Sequence, residues 1–329
     1  LTMKIPDEKR RNSIFIWTSF LATTLLQGMR DITVGIDVPG YIDGYYLCGE
    51  RSWLSTVFNY EIGYRFFCKL IYITGASERF FLVLIAIVCQ GSVFLFIKKY
   101  SRFPALSVVI YITFGLFTFS FSGLRQMLAI AIVLASFDCI KDKKMARFVL
   151  IVFLATLFHT SAIVCLIAYP LYYLKLPKQS VFFVGVALLM EVLLGGDIVE
   201  LAVHIYKNQG YEVQYTGAYE TFTMFVLVWI GAMMLLPEKG NINAFKNYLL
   251  VAAAIQGLGM YHMSIARLGY YFSFFICLLL PEMVLCVAKD NWKVRMLITT
   301  ILLACCCIYF NINTGDGYLN VSPYVPFWK

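Results

Sequence analysis

The chain has 329 residues, 60% of them hydrophobic and 17% aromatic, with a mean hydropathy of +0.76. Charged side chains make up 14% of it, against roughly 25% in a soluble domain, which excludes both a water-exposed globular surface and a disordered chain. What remains is an all-α, polytopic integral membrane protein, because the apolar stretches are long enough for helices rather than barrel strands.

In chain order, apolar runs bounded by charged or turn residues predict about eleven membrane segments. They lie near 13–29, 78–97, 104–122, 123–139, 147–158, 160–174, 179–195, 218–236, 246–261, 265–288 and 292–310. A lipid-crossing helix needs about 20 residues, so the stretch 147–174 is better drawn as two half-helices broken near His159 than as two passes. Irregular backbone at that depth is tolerated where it is buried in protein or lines a wet cavity. The whole reads as one transmembrane domain, 1–329, with outer loops at about 30–77 and 196–217 and an outer tail at 311–329. Within the first loop, Glu61–Tyr72 (EIGYRFFCKLIY) mixes aromatics with Arg65 and Lys69 at helical spacing, as an interfacial helix does. The stretch 200–215 is similar, with Tyr206, Tyr211 and Tyr215; such aromatics suit an interface belt or a sugar-stacking platform. The sequence shows no internal repeat, low-complexity segment or signal-peptide cleavage pattern, and its polar opening leads us to expect a further helix upstream of Leu1.

Basic residues set the orientation. Lys4, Lys9, Arg10 and Arg11 precede the first span, and clusters follow at Lys98, Lys99 and Arg102, and at Lys141, Lys143, Lys144 and Arg147. Smaller groups lie at Lys175 and Lys178, at Lys239 and Lys246, and at Lys289, Lys293 and Arg295. Alternating topology puts all of these on one face, which the positive-inside rule makes cytoplasmic. The net charge of +8 therefore reflects topology and not a nucleic-acid partner. Eight of the ten cysteines lie in or against apolar runs, leaving Cys48 and Cys68 outside them. With no CxxC pair and no Cys/His cluster, neither a zinc nor a redox site is expected, and no metal or cofactor.

Arg30, Asp37, Glu61, Arg125, His159, His262 and Arg267 all fall on the opposite, outer face. Ionisable residues are costly at the membrane edge and point to function by default, so their gathering on one side predicts a polar cavity open to the outside. Arg125 opens an apolar run directly after Gly123-Leu124, where a cation opposes the helix dipole; it is either a snorkelling interface residue or half of an anion site shared with backbone N–H groups. Arg267, with Tyr270 and Tyr271 at i+3 and i+4, is either structural or a second anion contact. Arg30 is an interfacial anchor or a third. Arginines converging from separate helices suit a diphosphate, whose charge is spread over several oxygens. A transferase would also need a base: His159, at the helix break, titrates nearest neutrality, unless it merely holds a backbone carbonyl. Asp37, in Gly35-Ile36-Asp37-Val38-Pro39, is the other candidate, or a turn former. Glu61 and His262 rank below both.

The order Arg30, Gly35-x-Asp37 with Tyr41, Glu61-x-Gly63-Tyr64, Arg125-Gln126-x-x-Ala129, His159-x-Ser161-Ala162, Arg267 before Tyr270 and Tyr271, and Pro281 resembles the EpsG-like branch of the Wzy-type polysaccharide polymerases over nearly the whole chain. The resemblance implies a GT-C-like glycosyltransferase of the bacterial inner membrane, joining undecaprenyl-diphosphate-linked oligosaccharide repeats on its periplasmic face. It implies Arg125 and Arg267 on the leaving diphosphate with Arg30 in support, and His159 or Asp37 orienting or deprotonating the acceptor hydroxyl. Gln126, Tyr41, Glu61, Tyr270 and Tyr271 are the accompanying candidates for contact with diphosphate or glycan. The implied partners are the lipid-linked oligosaccharide, the bilayer and a chain-length regulator. Family members usually carry one more helix before the first one here. A lipid-linked oligosaccharide flippase, an O-antigen ligase on the same carrier and a non-catalytic scaffold are the competing readings. The outer-face clustering speaks against the first of these, because transporter sites lie at the midplane between repeats.

Overall fold

The computed structural model describes residues 8–53, 55, 60–205, 219–289, 291–315 and 318–329, and these are largely helical. In chain order the helices are α1 (Glu8–Gly28), α2 (Val38–Glu50), α3 (Ile62–Tyr72), α4 (Glu78–Tyr100), α5 (Pro104–Thr113), α6 (Leu116–Phe119), α7 (Leu124–Ala135), α8 (Phe137–Lys141) and α9 (Met145–Thr156). A 3₁₀ segment, Thr160–Ile167, leads into α10 (Ala168–Tyr173). Then come α11 (Ser180–Ile205), α12 (Tyr219–Leu235), α13 (Asn241–Gly259), α14 (Met263–Leu268), α15 (Tyr270–Ser273), α16 (Ile276–Ala288) and α17 (Trp292–Gly315).

Among the described residues, three helices are long and apolar enough to cross a bilayer: Glu78–Tyr100, Ser180–Leu201 and Trp292–Ile312. Met263–Ser273 and Ile276–Ala288 together would make a fourth, bent by 51° at the break. Shorter apolar helices include Pro104–Thr113, Met145–Thr156 and Tyr219–Leu235. Phe182 and Phe183 on α11 are each 71% exposed, which is stable in lipid and costly in water. The protein is therefore an all-helical membrane protein.

Several expected elements differ from those observed. The run 104–122 is divided at Phe114 and Gly115, and 265–288 is divided near Gly269 and Phe274. The loop expected from 196 is helical as far as Ile205, because its apolar residues continue the α11 pattern. Tyr206, Tyr211 and Tyr215 lie outside the described residues. The expected break at His159 is present between α9 and the 3₁₀ segment, and the helix expected in the first loop begins at Ile62 with Glu61 at its N-cap.

Two compact units are distinguishable, 1–166 with 296–329, and 167–295. In the first, α1 packs on α4, α4 on α7, and α7 on α9. α4 shows how the sequence fixes an end: the Ser77 side chain accepts from Phe80 N–H, Glu78 lies in the first turn, and Lys98 and Lys99 lie in the last, each matching the helix dipole. A buried polar network crosses this packing. Gln27 donates to the Ser120 carbonyl at 2.6 Å, Gln90 donates to Gln27 Oε1 at 2.7 Å, and Tyr111 donates to Gln90 Oε1 at 2.9 Å. Side-chain hydrogen bonds of this kind join helices that the hydrophobic effect cannot hold together in lipid. Here they fix the 120–123 turn that opens α7.

The C-terminal tail is no loose end. Asp31 N–H donates to the Val325 carbonyl, Phe327 N–H to the Met29 carbonyl, and Gly35 N–H to the Asn320 carbonyl. The tail and the segment 29–36 thus satisfy each other's backbone groups, as buried backbone requires. In the second unit, α13 packs against α10, α11, α12 and α14, and Asn247 Nδ2 ties α13 to α10 through the Leu171 and Leu174 carbonyls.

Candidate functional site

Glu61, Arg125 and His159 arrive at one point from three elements. Glu61 occupies the N-cap position of α3, Arg125 the first turn of α7, and His159 the break after α9. What lets them meet is Gly63: a Cβ there would lie 2.7 Å from both the Leu157 carbonyl oxygen and the Leu157 Cβ. Only a residue without a side chain lets the start of α3 press onto the end of α9, where Tyr64 N–H donates to that same carbonyl at 3.1 Å.

The Glu61 carboxylate is the hub. Its Oε2 accepts from Arg125 Nη1 at 2.5 Å. Its Oε1 faces His159 Nδ1 at 3.2 Å and accepts from Thr160 N–H at 3.0 Å and the Thr160 hydroxyl at 3.3 Å. Burial pushes the carboxyl up, but the His159 and Thr160 hydrogen bonds and the Arg125 charge outweigh it and hold Glu61 down at about 2. Glu61 is thus an orienting anion and a poor proton acceptor. With Nδ1–H directed at Glu61, the His159 ring turns Nε2 away as its free acceptor, the arrangement by which a carboxylate fixes a basic imidazole. The side chains remain 15% (Glu61), 20% (Arg125) and 28% (His159) exposed, so the group is reachable.

Three tyrosines surround the guanidinium. The Arg125 Cζ stands 4.6 Å from the Tyr60 ring centroid, 5.9 Å from Tyr41 and 6.0 Å from Tyr64, all within cation–π range. Tyr60 is itself tied to α2, its hydroxyl donating to the Gly40 carbonyl at 2.9 Å.

The other expected site residues are distributed as follows. Asp37 stands at the N-cap of α2, a helix that the loop expectation for 30–77 omitted. Gln126 is buried beside Arg125 on α7. Arg30 is 1% exposed, lying over the Phe121 ring at 4.9 Å beneath the bridge its backbone makes with Pro326. Its Nε and Nη1 have no hydrogen-bond partner among the described residues, and burial lowers it to about 9. Arg267 lies in the last turn of α14, and Tyr270 and Tyr271 lie in α15, all in the second unit. His262 caps α14, its Nδ1 accepting from Ser264 N–H at 3.2 Å, which accounts for it structurally.

The sequence reading placed Glu61 below His159 and Asp37, whereas the structure makes it the residue through which Arg125 and His159 are joined. Tyr60 was not singled out at all. The available signal was local: a lone carboxylate directly before Ile62-Gly63 and flanked by Tyr60 and Tyr64, in the loop expected to face the same side as a cation that lacked a counter-ion.

α9, twelve residues long, spans about 18 Å at helical rise. Lys144 stands at the N-cap of α9 and His159 follows its last turn, so the basic cluster around Lys144 and the His159 break lie at opposite ends of one helix. Lys99 and Asp138 form an ion pair. A family model matches residues 13–325, nearly the whole chain, and it is that of the EpsG family. No curated protein and no solved structure matches the chain.

Proposed function

The chain belongs to the EpsG family, and on that premise we propose that it is a polysaccharide polymerase. In this reading it is a GT-C-like glycosyltransferase of about eleven spans in the bacterial inner membrane. It joins undecaprenyl-diphosphate-linked oligosaccharide repeats on the periplasmic face. The observation that carries this reading is the junction of Arg125, Glu61 and His159 at the end of α9 remote from its basic cluster.

In the transfer, the acceptor hydroxyl oxygen bonds to the anomeric carbon of the donor glycan. The bond from that carbon to the phosphate oxygen breaks, and the carrier diphosphate leaves. The hydroxyl proton passes to His159 Nε2 while Glu61 holds Nδ1–H, so base and orienting anion are separate groups. Before transfer, Arg125 and Glu61 balance each other. Protonation of His159 makes the trio positive just as negative charge develops on the leaving diphosphate, with Arg125 as its fixed cation. A diphosphate departs as a stable anion and needs this stabilisation more than it needs an acid, so arginine rather than a divalent metal supplies the charge here.

Asp37, at the head of α2, leaves the proton to His159. Arg30, Gln126, Arg267, Tyr270 and Tyr271 are assigned supporting and substrate-binding roles on the strength of the resemblance alone. A surface-glycan gel from cells lacking the chain tests the class of reaction. The polymerase reading requires a single repeat where the wild type gives a ladder. Complete loss of surface glycan would favour flipping instead, and full-length polymer stranded on the carrier would favour ligation.

A further inference from the structure

Cys48 and Cys68 are the two cysteines outside the apolar runs, and the structure brings them face to face. Cys48 lies on α2 and Cys68 on α3, both buried and both free thiols. Their side chains hydrogen-bond directly to one another. The two helices are in close contact at this level: a Cβ on Gly49 would fall 2.2 Å from the Tyr72 ring, so neither can shift away without opening the layer.

The two thiols differ in chemistry. Cys48 lines a small pocket with Ser52, Trp53, Arg65, Phe66 and Lys69. The hydrogen bond from Cys68 and the nearby Arg65 and Lys69 charges lower the Cys48 thiol, while burial pushes Cys68 up. A thiolate-prone cysteine beside cations, with a neutral thiol behind it, is the pattern of an attacking and a resolving pair.

We propose that Cys48 and Cys68 are joined in the mature protein by a disulfide that pins α2 to α3 and closes the chain segment carrying Tyr60 and Glu61. The proposal rests on the reading that 30–77 faces the oxidising side of the membrane. The oxidant is a thiol–disulfide oxidoreductase. The Cys48 thiolate attacks its disulfide, giving a mixed disulfide. Cys68, giving up its proton, then attacks the Cys48 sulfur and releases the oxidoreductase as a dithiol. Two electrons and two protons leave the cysteine pair and reduce that one disulfide. The bond makes the position of Glu61 a property of a closed ring of residues, and not of helix packing alone.

The test uses the full chain in its native membrane. Thiols are trapped in acid, the protein is denatured in detergent, and a polyethylene-glycol maleimide counts them by gel shift before and after reduction. Of the ten cysteines, eight are expected to react in the wild type before reduction and all ten afterwards. Cys48→Ser and Cys68→Ser are each expected to show nine in both conditions. Ten reactive thiols before reduction, or a gain on reduction that persists in the double variant, would overturn the proposal. Asp43, exposed on α2, reports the sidedness separately: Asp43→Cys in the double-serine background is labelled from outside by an impermeant maleimide if the topology holds. Labelling from outside together with ten free thiols sinks the disulfide and leaves the topology standing. Labelling only after the membrane is opened, again with ten free thiols, sinks both.

Discussion

Replacing Glu61 by Gln keeps the shape of the side chain and removes the charge that Arg125 and His159 share. The carboxylate accepts from Arg125, His159 and Thr160, and its pKa of about 2 lies below the ordinary 4.5. That shift corresponds to about 3 kcal/mol at neutral pH, on the order of 2 kcal/mol once solvent screening of a partly exposed group is allowed for. Because the folded value is the lower one, this stability is fully present above about 4.5 and is lost as pH falls towards 2. Glu61→Gln should therefore unfold several degrees below the wild type at pH 7, with the gap closing as the pH falls through that window. Its effect on activity should be larger than its effect on stability. With no anion to fix the His159 ring, chain extension in membranes is expected to fall by at least 100-fold, as when the carboxylate behind a catalytic imidazole is neutralised. The assay is the rate at which a glycan ladder lengthens in membranes holding equal amounts of folded protein. Near-wild-type extension by a folded Glu61→Gln protein would refute the role given to this residue.

Gly63→Ala places a Cβ 2.7 Å from the Leu157 backbone oxygen, and the overpacking should cost roughly 1–3 kcal/mol and separate Glu61 from His159; a lowered melting point together with lost polymer is expected, and an unchanged melting point would contradict the contact. Arg125→Lys keeps a positive charge but loses the fork that reaches both Glu61 and an anion, so it should extend glycan well below wild type while staying inserted, and Arg125→Ala should not extend it at all. Arg267→Ala should likewise abolish extension in a folded protein, and normal ladders from it would remove Arg267 from the proposed machinery. Asp138→Asn breaks an exposed ion pair with Lys99 and should change stability by less than about 1 kcal/mol with no change in ladder length.

The spans near 78–97, 179–195 and 292–310 were legible because lipid imposes a length and composition that a sequence displays openly, as in Glu78–Tyr100 with its caps and flanking lysines. The break at His159 was legible for a similar reason, since 147–174 is too short for two passes. What escaped was long-range pairing. α2 was read as loop because its composition (VPGYIDGYYLCGE) lacks a continuous apolar run, and it is held by α3, with Tyr60 reaching Gly40 and Tyr72 packing on Gly49. The tail was read only as an outer segment, because nothing local announces that its carbonyls will receive N–H groups from residues 31–36, nearly the whole chain away. Arg125 was recognised as an exceptional cation, yet its counter-ion lies 64 positions earlier. That partner joins Arg125 to His159 through one carboxylate, which the expectation of three arginines around an anion did not anticipate.

The most direct test of the proposed transfer is reconstitution of the purified chain in lipid vesicles with a lipid-linked repeat and no other enzyme. The account predicts a growing series of lipid-linked oligomers, with one free carrier diphosphate released per bond formed, and no series from His159→Ala under the same conditions. An unextended repeat with the folded wild-type protein, or a repeat merely moved across the bilayer without release of carrier diphosphate, would contradict it.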